Sequence, residues 1–137
     1  TLGSLDILMH GLNKDGLGAR DCIACMIDAR REEVYLGLYD VSGLKMAPPA
    51  PVVLDRDDFT SLVPGERTWH LCGNGAWKYR KYEGGRDCRY HHLSTSASYM
   101  STPVFDAYLR GSFTPHKTFS PDYFKAPNIT QSKKNLL

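Results

Sequence analysis

The chain has 137 residues, 42% of them hydrophobic and 23% charged, which is the composition of one globular domain. This composition excludes a disordered chain, a collagen and a coiled coil, and the apolar runs are too short for a transmembrane helix. The formal net charge of +2, from 17 basic and 15 acidic residues, is too balanced to indicate nucleic-acid binding by itself. The chain begins with Thr1 instead of Met and shows no signal peptide, so we expect a cytoplasmic piece of a longer protein.

The first third of the chain predicts one helix and a β-hairpin. Apolar residues at helical spacing indicate a short amphipathic helix over about residues 3–13. Residues 22–27 are apolar on both faces, which is typical of a central strand. Residues 34–39 alternate between two faces, and the charged residues between the two segments predict the turn of a hairpin.

The middle of the chain predicts an edge strand, a short helix and a buried strand. Three prolines between residues 48 and 51 cannot donate to a β-ladder, so a third strand would lie at an edge, with 52–54 as its paired part. Asp55 or Asp57 would then cap a short helix that ends near residue 63. The next apolar stretch, 68–72, predicts a buried strand that leads into a glycine turn and another helix.

The C-terminal part adds a weaker strand and a last helix. Residues 88–93 are a strand candidate that carries polar residues, and Pro103 either kinks the last helix or lies in its first turn, with Thr102 as the cap. A meander of strands followed by strand–helix alternation predicts an α/β fold, with a mixed sheet of about five strands and flanking helices. This is the layout of a ribonuclease-H-like lobe, the unit that ATPases of the actin and Hsp70 type use twice.

The cysteines and the paired histidines raise the question of a metal site. Cys22 and Cys25 form a C-x-x-C, but residues three apart on a strand point to opposite faces and cannot chelate one ion. His91 and His92 are adjacent and would diverge for the same reason. We therefore expect reduced structural thiols and no metal site.

A glycine-rich turn, Gly73-Asn74-Gly75, lies between a predicted strand and a predicted helix. Backbone amides at a helix start can bind an anion, so these three residues are a weak candidate cofactor site. The alternative, which we favour, is that the glycines only permit a tight turn. The sequence contains no P-loop, dinucleotide fingerprint, HExxH or G-x-S-x-G motif.

Three further groups of polar residues have a catalytic or binding interpretation. Asp28 and Glu33 flank the hairpin turn and could shuttle a proton or hold a metal, although solvated turn charges are favoured. The serines between residues 94 and 98 are explained better as helix caps than as nucleophiles beside the histidines. The residues that an RNA-binding surface would use are Arg80, Lys81, Arg86 and Arg89.

Four segments in series resemble one family. They are IDARREEVY at 27–35, GNGAWKY at 73–79, TSASYM at 95–100 and FSPDYFK at 119–125. In order and spacing they resemble the TsaB/YeaZ family, glycoprotease/M22-like proteins of the ASKHA superfamily. Thr95 stands where that family usually has proline, and Ser120 where an acidic residue is usual. The motif residues carried over are Asp28, Arg30, Glu33, Tyr35, Pro121 and Tyr123.

The resemblance covers residues 1–126, as the C-terminal lobe of such a protein. The Asp-Thr-Ser start and the GPGSFTGLR-like segment of the family's first lobe do not occur, so the N-terminal lobe is absent from this chain. Residues 127–137 form a polar tail that we expect to be mobile. Tyr123 and Phe124 are expected to anchor the chain end on the sheet. The apolar face turned toward the missing lobe predicts weak self-association through Leu2, Leu5, Met9 and the interlobe side of the hairpin.

The resemblance implies a non-catalytic partner or scaffold in tRNA N-threonylcarbamoyladenosine modification. The implied partners are a TsaD-like catalytic paralogue and a TsaE-like ATPase, with tRNA contacted only indirectly and no membrane. It implies no cofactor in this chain, and ATP or ADP in the full-length complex. The family is also labelled as a peptidase, but this sequence contains no nucleophile–base pair or metal triad that would support such an activity. A glycoprotease-like hydrolase or a nucleotide-binding lobe is the alternative, and a direct RNA-binding module is a third reading.

Overall fold

Five strands form one mixed sheet in the computed structural model, which describes residues 1–121, 123 and 124. The strands are β1 (Cys22–Asp28), β2 (Glu33–Asp40), β3 (Lys45–Val53), β4 (Trp69–Cys72) and β5 (Cys88–His91). Their order across the sheet is β3-β2-β1-β4-β5. β1 and β3 each pair antiparallel with β2, whereas β4 pairs parallel with both β1 and β5. The predicted mixed sheet of a ribonuclease-H-like lobe is confirmed.

The helices of the described residues are shorter than the sequence predicts. The α-helices are α1 (Ser4–His10) and α2 (Ser101–Leu109), and short 3₁₀ segments of one or two turns lie at Phe59–Leu62, Ala76–Lys81 and Ala97–Met100. Asp58 caps the first 3₁₀ turn by accepting a hydrogen bond from the Thr60 amide at 3.2 Å. The predicted cap at Asp55 or Asp57 is therefore wrong, and Asp57 instead accepts from the backbone N–H of Val53.

Strand β1 is central because both of its faces are covered. Its first five residues, Cys22 to Met26, have no solvent exposure. One face packs against α1, and the other face packs against the 3₁₀ segments at 59–62 and 76–81. Cys22 and Cys25 belong to opposite faces, as the strand period of two predicts.

Helix α1 lies on the sheet through its leucines and methionine. Leu5, Leu8, Met9 and Leu12 are buried with Ile23, Cys25, Tyr39 and Cys72 of the sheet. Full burial of one such side chain stabilises the fold by roughly 1.5–3 kcal/mol. The expectation that Leu5 and Met9 form an exposed association face is therefore wrong, because they are 8% and 3% exposed.

Strand β3 extends further than the prolines suggested. It pairs with β2 from Lys45 to Val53, with register shifts between Leu36 and Leu38 and between Leu38 and Tyr39. Its position at the sheet edge is confirmed, and that position explains its length. An edge strand has one neighbour, so a residue without an N–H is tolerated wherever that group would face away from the sheet.

The last helix begins differently from the prediction. Ser96 accepts from the Ser98 amide and caps the 3₁₀ turn at 97–100, so Thr102 is not the cap. Pro103 lies in the first turn of α2, where its missing N–H has no helical partner to lose. Tyr99 packs so tightly on Gly11 that a Cβ at Gly11 would lie 2.4 Å from its ring. The 3₁₀ turn is thus fixed to the end of α1.

In the described part of the C-terminal segment, Phe124 contacts the sheet. The Phe124 ring lies 5.9 Å from the Tyr35 ring of β2, which agrees with the expected anchor. Tyr123 is 82% exposed, so its part of that prediction is wrong. The predicted mobile tail at 127–137 lies outside the described residues. No helix in the described ranges is long and apolar enough to cross a membrane.

Candidate functional site

The glycine turn follows β4 at the carboxyl ends of the parallel strands, where open α/β sheets usually bind ligands. Gly73 has a φ of +101°, and a Cβ there would lie 2.1 Å from the carbonyl oxygen of Met26. The Gly75 amide donates to that same oxygen at 3.0 Å. The turn is therefore pressed against the backbone of β1, and Gly73 is required by both its conformation and its contact.

Side chains then join this turn to the β1–β2 hairpin. Asn74 Oδ1 accepts from the backbone N–H of Asp28 at 2.9 Å. Lys78, one turn further on, donates from Nζ to Asp28 Oδ1 and, at 3.1 Å, to the carbonyl oxygen of Glu33. We call these four residues, Asp28, Glu33, Asn74 and Lys78, the hairpin–turn network. It brings together predicted site residues that are separated by about 45 positions in the sequence.

The hairpin tip carries two arginines in the left-handed region. Arg30 and Arg31 have φ angles of 69° and 48°, which non-glycine residues adopt at an energetic cost. The Asp28 carboxylate holds this geometry by accepting from the Arg30 amide at 2.7 Å. Both arginine side chains are exposed, and neither forms an ion pair within the described residues. The tip therefore displays two adjacent positive charges on a strained backbone.

The carboxylates of the hairpin act as hydrogen-bond acceptors for lysines. The Lys78 hydrogen bond, with help from the Arg30 amide, lowers the pKa of Asp28 below its ordinary value of 3.8. Hydrogen bonds from Lys81 and Tyr82 lower the pKa of Glu32 in the same way. Carboxylates held ionised by such partners are poor general bases near neutral pH, because their affinity for a proton is reduced.

The turn has limited room for the predicted anion. The Gly75 amide donates to Met26 and the Ala76 amide donates to the carbonyl oxygen of Gly73 at 3.1 Å. Two of the amides that a phosphate would need are thus already used within the protein. The role of Gly73, Asn74 and Gly75 that the geometry shows directly is to hold the hairpin.

A second polar cluster was not found from the sequence. His70, only 3% exposed, places Nε2 3.1 Å from Asp21 Oδ2 and Nδ1 2.9 Å from Nε2 of His91. The Gly18 amide, and then the hydrogen bond with His70, lower the pKa of Asp21, while burial and the charge of His70 lower the pKa of His91. The sequence signal that could have indicated this cluster is a histidine, His70, inside an apolar strand. Its partner His91 is brought beside it only by the parallel pairing of β4 with β5.

The histidine cluster has the form of a proton relay without a nucleophile. Within the described residues, no hydroxyl or thiol is hydrogen-bonded to His70 or His91. His92 diverges from His91, as predicted, and its ring lies 4.9 Å from the Trp77 ring. Ser96 and Ser98 bond to each other as caps. In the described ranges, no group of three His, Cys, Asp or Glu residues is arranged to hold a metal ion.

The basic residues of the RNA-binding alternative are mostly paired. Lys81 forms an ion pair with Glu32 at 2.7 Å and Arg86 with Asp58 at 2.7 Å. Arg80 lies over the Trp77 ring, 5.8 Å from its centroid. These contacts neutralise or cover three of the four cations that such a surface would need.

A surface groove of about 880 Å³ lies at the opposite, amino end of the parallel strands. Residues of both charges line it, including Arg20, Asp58, Glu66, Arg67 and Asp87. The groove contains none of the residues of the hairpin–turn network.

No protein-family description and no curated protein matches this sequence. Its structure is similar to YeaZ from Pseudomonas aeruginosa, with a TM-score of 0.64 and 25% identity over 89% of this chain. It is also similar to an uncharacterized protein described as similar to peptidase YeaZ from Pseudomonas aeruginosa, with a TM-score of 0.66 and 24% identity over 90% of this chain. The chain spans 57% of the length of each. Its fold is that of part of a YeaZ-like structure.

Proposed function

We propose that this chain is the C-terminal lobe of a TsaB/YeaZ-type protein and acts as a non-catalytic partner in tRNA threonylcarbamoyladenosine modification. Its catalytic partner would be a TsaD-like paralogue, assisted by a TsaE-like ATPase, with tRNA contacted through the complex. Any ATP or ADP would belong to the full-length complex. Because the chain spans 57% of the YeaZ-like structures, the modification itself depends on more than this lobe.

One observation carries the proposal. The segments 27–35 and 73–79, which carry the resemblance to the family, meet in space through the hairpin–turn network. Residues brought together by hydrogen bonds between distant segments act as one unit, so their joint presence supports the resemblance more than either segment alone. The likeness to YeaZ structures agrees with the same family.

The polar groups favour a scaffold over an enzyme. Lys78 is bonded to Asp28, and the His70–His91 pair has no nucleophile within the described residues. General acid–base or nucleophilic catalysis needs such groups to converge on one reacting atom. A hydrolase is the alternative, and the Asp21–His70–His91 chain is the observation in its favour.

The hairpin tip is the surface that we assign to partner contact. Arg30 and Arg31 are exposed, adjacent and held in a strained conformation by Asp28. Strained backbone conformations that the surrounding structure holds in place are concentrated at functional sites. Exposed cations would speed association with an acidic partner surface and would make that association sensitive to salt.

The test starts from cells depleted of the full-length protein, in which threonylcarbamoyladenosine is quantified in digested tRNA by mass spectrometry. We expect the modification to fall sharply and to be restored by the full-length protein but not by residues 1–137 alone. A full-length Arg30→Ala/Arg31→Ala variant should restore it poorly, whereas the control Arg20→Ala should restore it fully. Arg20 is exposed and precedes β1, at the opposite end of that strand from the hairpin tip.

Three outcomes would count against parts of the proposal. Unchanged modification after depletion would overturn the proposed pathway and leave only the fold. Loss of rescue by His91→Ala in a folded protein that still binds its partner would favour the hydrolase reading. Rescue by the arginine variant would place partner contact elsewhere on the lobe.

A further inference from the structure

Asn74 and Gly75 form an Asn-Gly pair, a dipeptide that can modify itself. The backbone nitrogen of the glycine, after losing its proton to hydroxide, attacks the side-chain carbonyl carbon Cγ of the asparagine and closes a succinimide ring. The Cγ–Nδ2 bond breaks, and Nδ2 leaves as ammonia with a proton taken from water. Water then opens the ring at either carbonyl carbon, which gives aspartate or isoaspartate. Glycine favours ring closure because it has no side chain to obstruct its nitrogen.

Both reacting groups are held by the end of β1. The Gly75 amide donates to the carbonyl oxygen of Met26 at 3.0 Å, so the proton that must leave is shielded. Asn74 Oδ1 accepts from the backbone N–H of Asp28 at 2.9 Å, which fixes the side-chain amide. Met26 and Asp28 belong to the same strand, so a single opening of the turn away from β1 releases both groups.

Packing around the turn blocks the first step of the reaction but not the second. Gly75 is buried, and a Cβ there would lie 3.0 Å from the backbone nitrogen of Asp28. Its nitrogen therefore has no room to move toward the asparagine side chain while the turn is closed. Asn74 is exposed, so water already reaches the group that it must hydrolyse. Ring closure, and with it the whole conversion, depends on opening of the turn.

Lys78 holds the turn closed from its other side. Its Nζ donates to Asp28 Oδ1 and, at 3.1 Å, to the carbonyl oxygen of Glu33. Lys78 belongs to the 3₁₀ segment that begins directly after Gly75, so these bonds tie that segment to the hairpin. Surface segments open locally at a smaller cost in free energy than the whole domain. The Lys78 bonds therefore set the fraction of molecules in which the turn is open.

We propose that Asn74 is a self-modification site, at which deamidation to isoaspartate is controlled by the hairpin–turn network. Water is the only co-reactant. Isoaspartate adds a methylene group to the main chain of a turn in which a Cβ at Gly73 would already lie 2.1 Å from the carbonyl oxygen of Met26. The lengthened turn cannot close again on β1, so the conversion releases the hairpin permanently. The reaction does not depend on the proposed function.

The experiment incubates the folded 137-residue chain at mildly alkaline pH and follows Asn74 by peptide mapping and mass spectrometry, with fragmentation that distinguishes isoaspartate from aspartate. We expect conversion to be roughly a hundredfold slower, or more, than in the same chain unfolded in urea, because only the open fraction reacts. Asn13 is the internal control, since the side chain of the following Lys14 obstructs ring closure in both states.

Two matched lysine variants test the role of the network. Lys78→Gln removes the ammonium group that bonds to the hairpin and should raise the rate at Asn74 in the folded chain roughly tenfold, in proportion to the open fraction. Lys45→Gln removes a comparable ion pair, with Asp6 at 2.9 Å, and should leave the rate unchanged. Circular dichroism and urea unfolding show that each variant is folded. Hydrogen exchange at the Gly75 amide should accelerate by the same factor as the reaction.

The products test the structural consequence. The isoaspartate chain, purified by ion exchange, should unfold at a lower urea concentration than the Asn74→Asp variant. That variant carries the same carboxylate on a main chain of normal length, so the comparison isolates the added methylene group.

Four results would overturn the proposal. Equal rates in the folded and the urea-unfolded chain would show that the network gives no protection. Equal acceleration by Lys78→Gln and Lys45→Gln would assign the reaction to opening of the whole domain. An Asn74 that stays unmodified in Lys78→Gln would exclude the site. An isoaspartate chain as stable as Asn74→Asp would show that the turn accommodates the longer main chain.

Discussion

The hairpin–turn network and α2 are both short surface regions, but their side chains differ in whether they contact other parts of the chain. In the network, Asp28, Asn74 and Lys78 each bond to groups of a distant segment of the same chain. Along α2, the large apolar side chains face solvent and only Pro103 is buried. The first region therefore finds its partners within the lobe, whereas the second leaves its large apolar side chains exposed.

The same difference appears in how each region is attached. The glycine turn is held by backbone contact with β1, where even a methyl group has no room. Helix α2 is attached mainly through the 3₁₀ turn before it, where Tyr99 lies on Gly11. Substitutions should consequently cost more stability in the network than in α2, and the following predictions test that division.

The largest effect is expected at the glycine turn. Gly73→Ala places a Cβ against the Met26 carbonyl oxygen in a left-handed conformation, so we expect a loss of about 3 kcal/mol or more in the free energy of unfolding. Gly65→Ala is the control, because Gly65 has the same φ of +101° with nothing within 4 Å. It should cost about 1–2 kcal/mol. Equal losses in urea unfolding would show that conformation alone, and not the contact with β1, decides the effect.

A smaller loss is expected from the side chain of the turn. Asn74→Ala removes the acceptor for the Asp28 amide and leaves that donor to water, which should cost about 1–2 kcal/mol. The loss should be visible as a lower urea midpoint with an unchanged m-value. Asn74→Asp keeps the acceptor oxygen and should retain more of the stability. No loss on Asn74→Ala would contradict the role of this hydrogen bond in holding the hairpin.

Two tyrosines form a matched pair with opposite expected signs. The hydroxyl of Tyr79 is buried without a hydrogen-bond partner among the described residues, and burial raises its pKa to about 12. Tyr79→Phe should therefore stabilise the lobe by up to about 1 kcal/mol. The Tyr39 hydroxyl donates to Asp6 at 2.8 Å, so Tyr39→Phe should destabilise it by about 1 kcal/mol. Shifts of the same sign in thermal unfolding would contradict this pairing.

Acid should weaken the lobe in two steps. The pKa of His91 is lowered by burial and by His70, so the unfolded chain binds this proton more readily and stability falls as the pH drops below about 6.5. The pKa values of Asp21 and Asp28 are also lowered, so a second loss follows below about pH 4. His91→Asn should remove the first step from a urea-unfolding series and leave the second. An unchanged first step would assign it to another group.

The smallest effect on stability is expected on α2. Phe105→Ser replaces a side chain that is 60% exposed, so the free energy of unfolding of the monomer should change by less than about 0.5 kcal/mol. Thermal unfolding at low protein concentration measures this change. A loss as large as that of Asn74→Ala would mean that Phe105 packs within the lobe, and the contrast between the two regions would fail.

Strands were predicted better than helix starts, and the reason is physical. Apolar periods of two and continuous apolar runs report burial directly, so β1, β2, β4 and β5 lie where the pattern placed them. The position of a helix start depends on which of several neighbouring carboxylates or hydroxyls accepts a hydrogen bond from a backbone amide of the first turn. Asp58 and Ser96 fill those positions here, although Asp57 and Thr102 are equally suitable residue types.

The candidate site was predicted in part. The sequence indicated Asp28, Glu33 and the glycine turn as separate features, and the fold joined them through Lys78, which no local pattern singled out. The Asp21–His70–His91 chain needed the parallel pairing of β4 with β5, which sequence spacing does not reveal. Contacts between distant segments depend on strand order, and strand order is a property of the whole sheet.

The sequence by itself determined the composition of a single domain, a central apolar strand in a mixed sheet, and the tight turns that glycine permits. These features are local, because side-chain period and backbone freedom act within a few residues. The tertiary structure alone decided which apolar positions are buried. Leu5 and Met9 of α1 meet the sheet, whereas Phe105 and Leu109 of α2, at the same helical spacing, face solvent. Amphipathic spacing gives a helix an apolar side, but only the position of the helix relative to the sheet decides what that side touches.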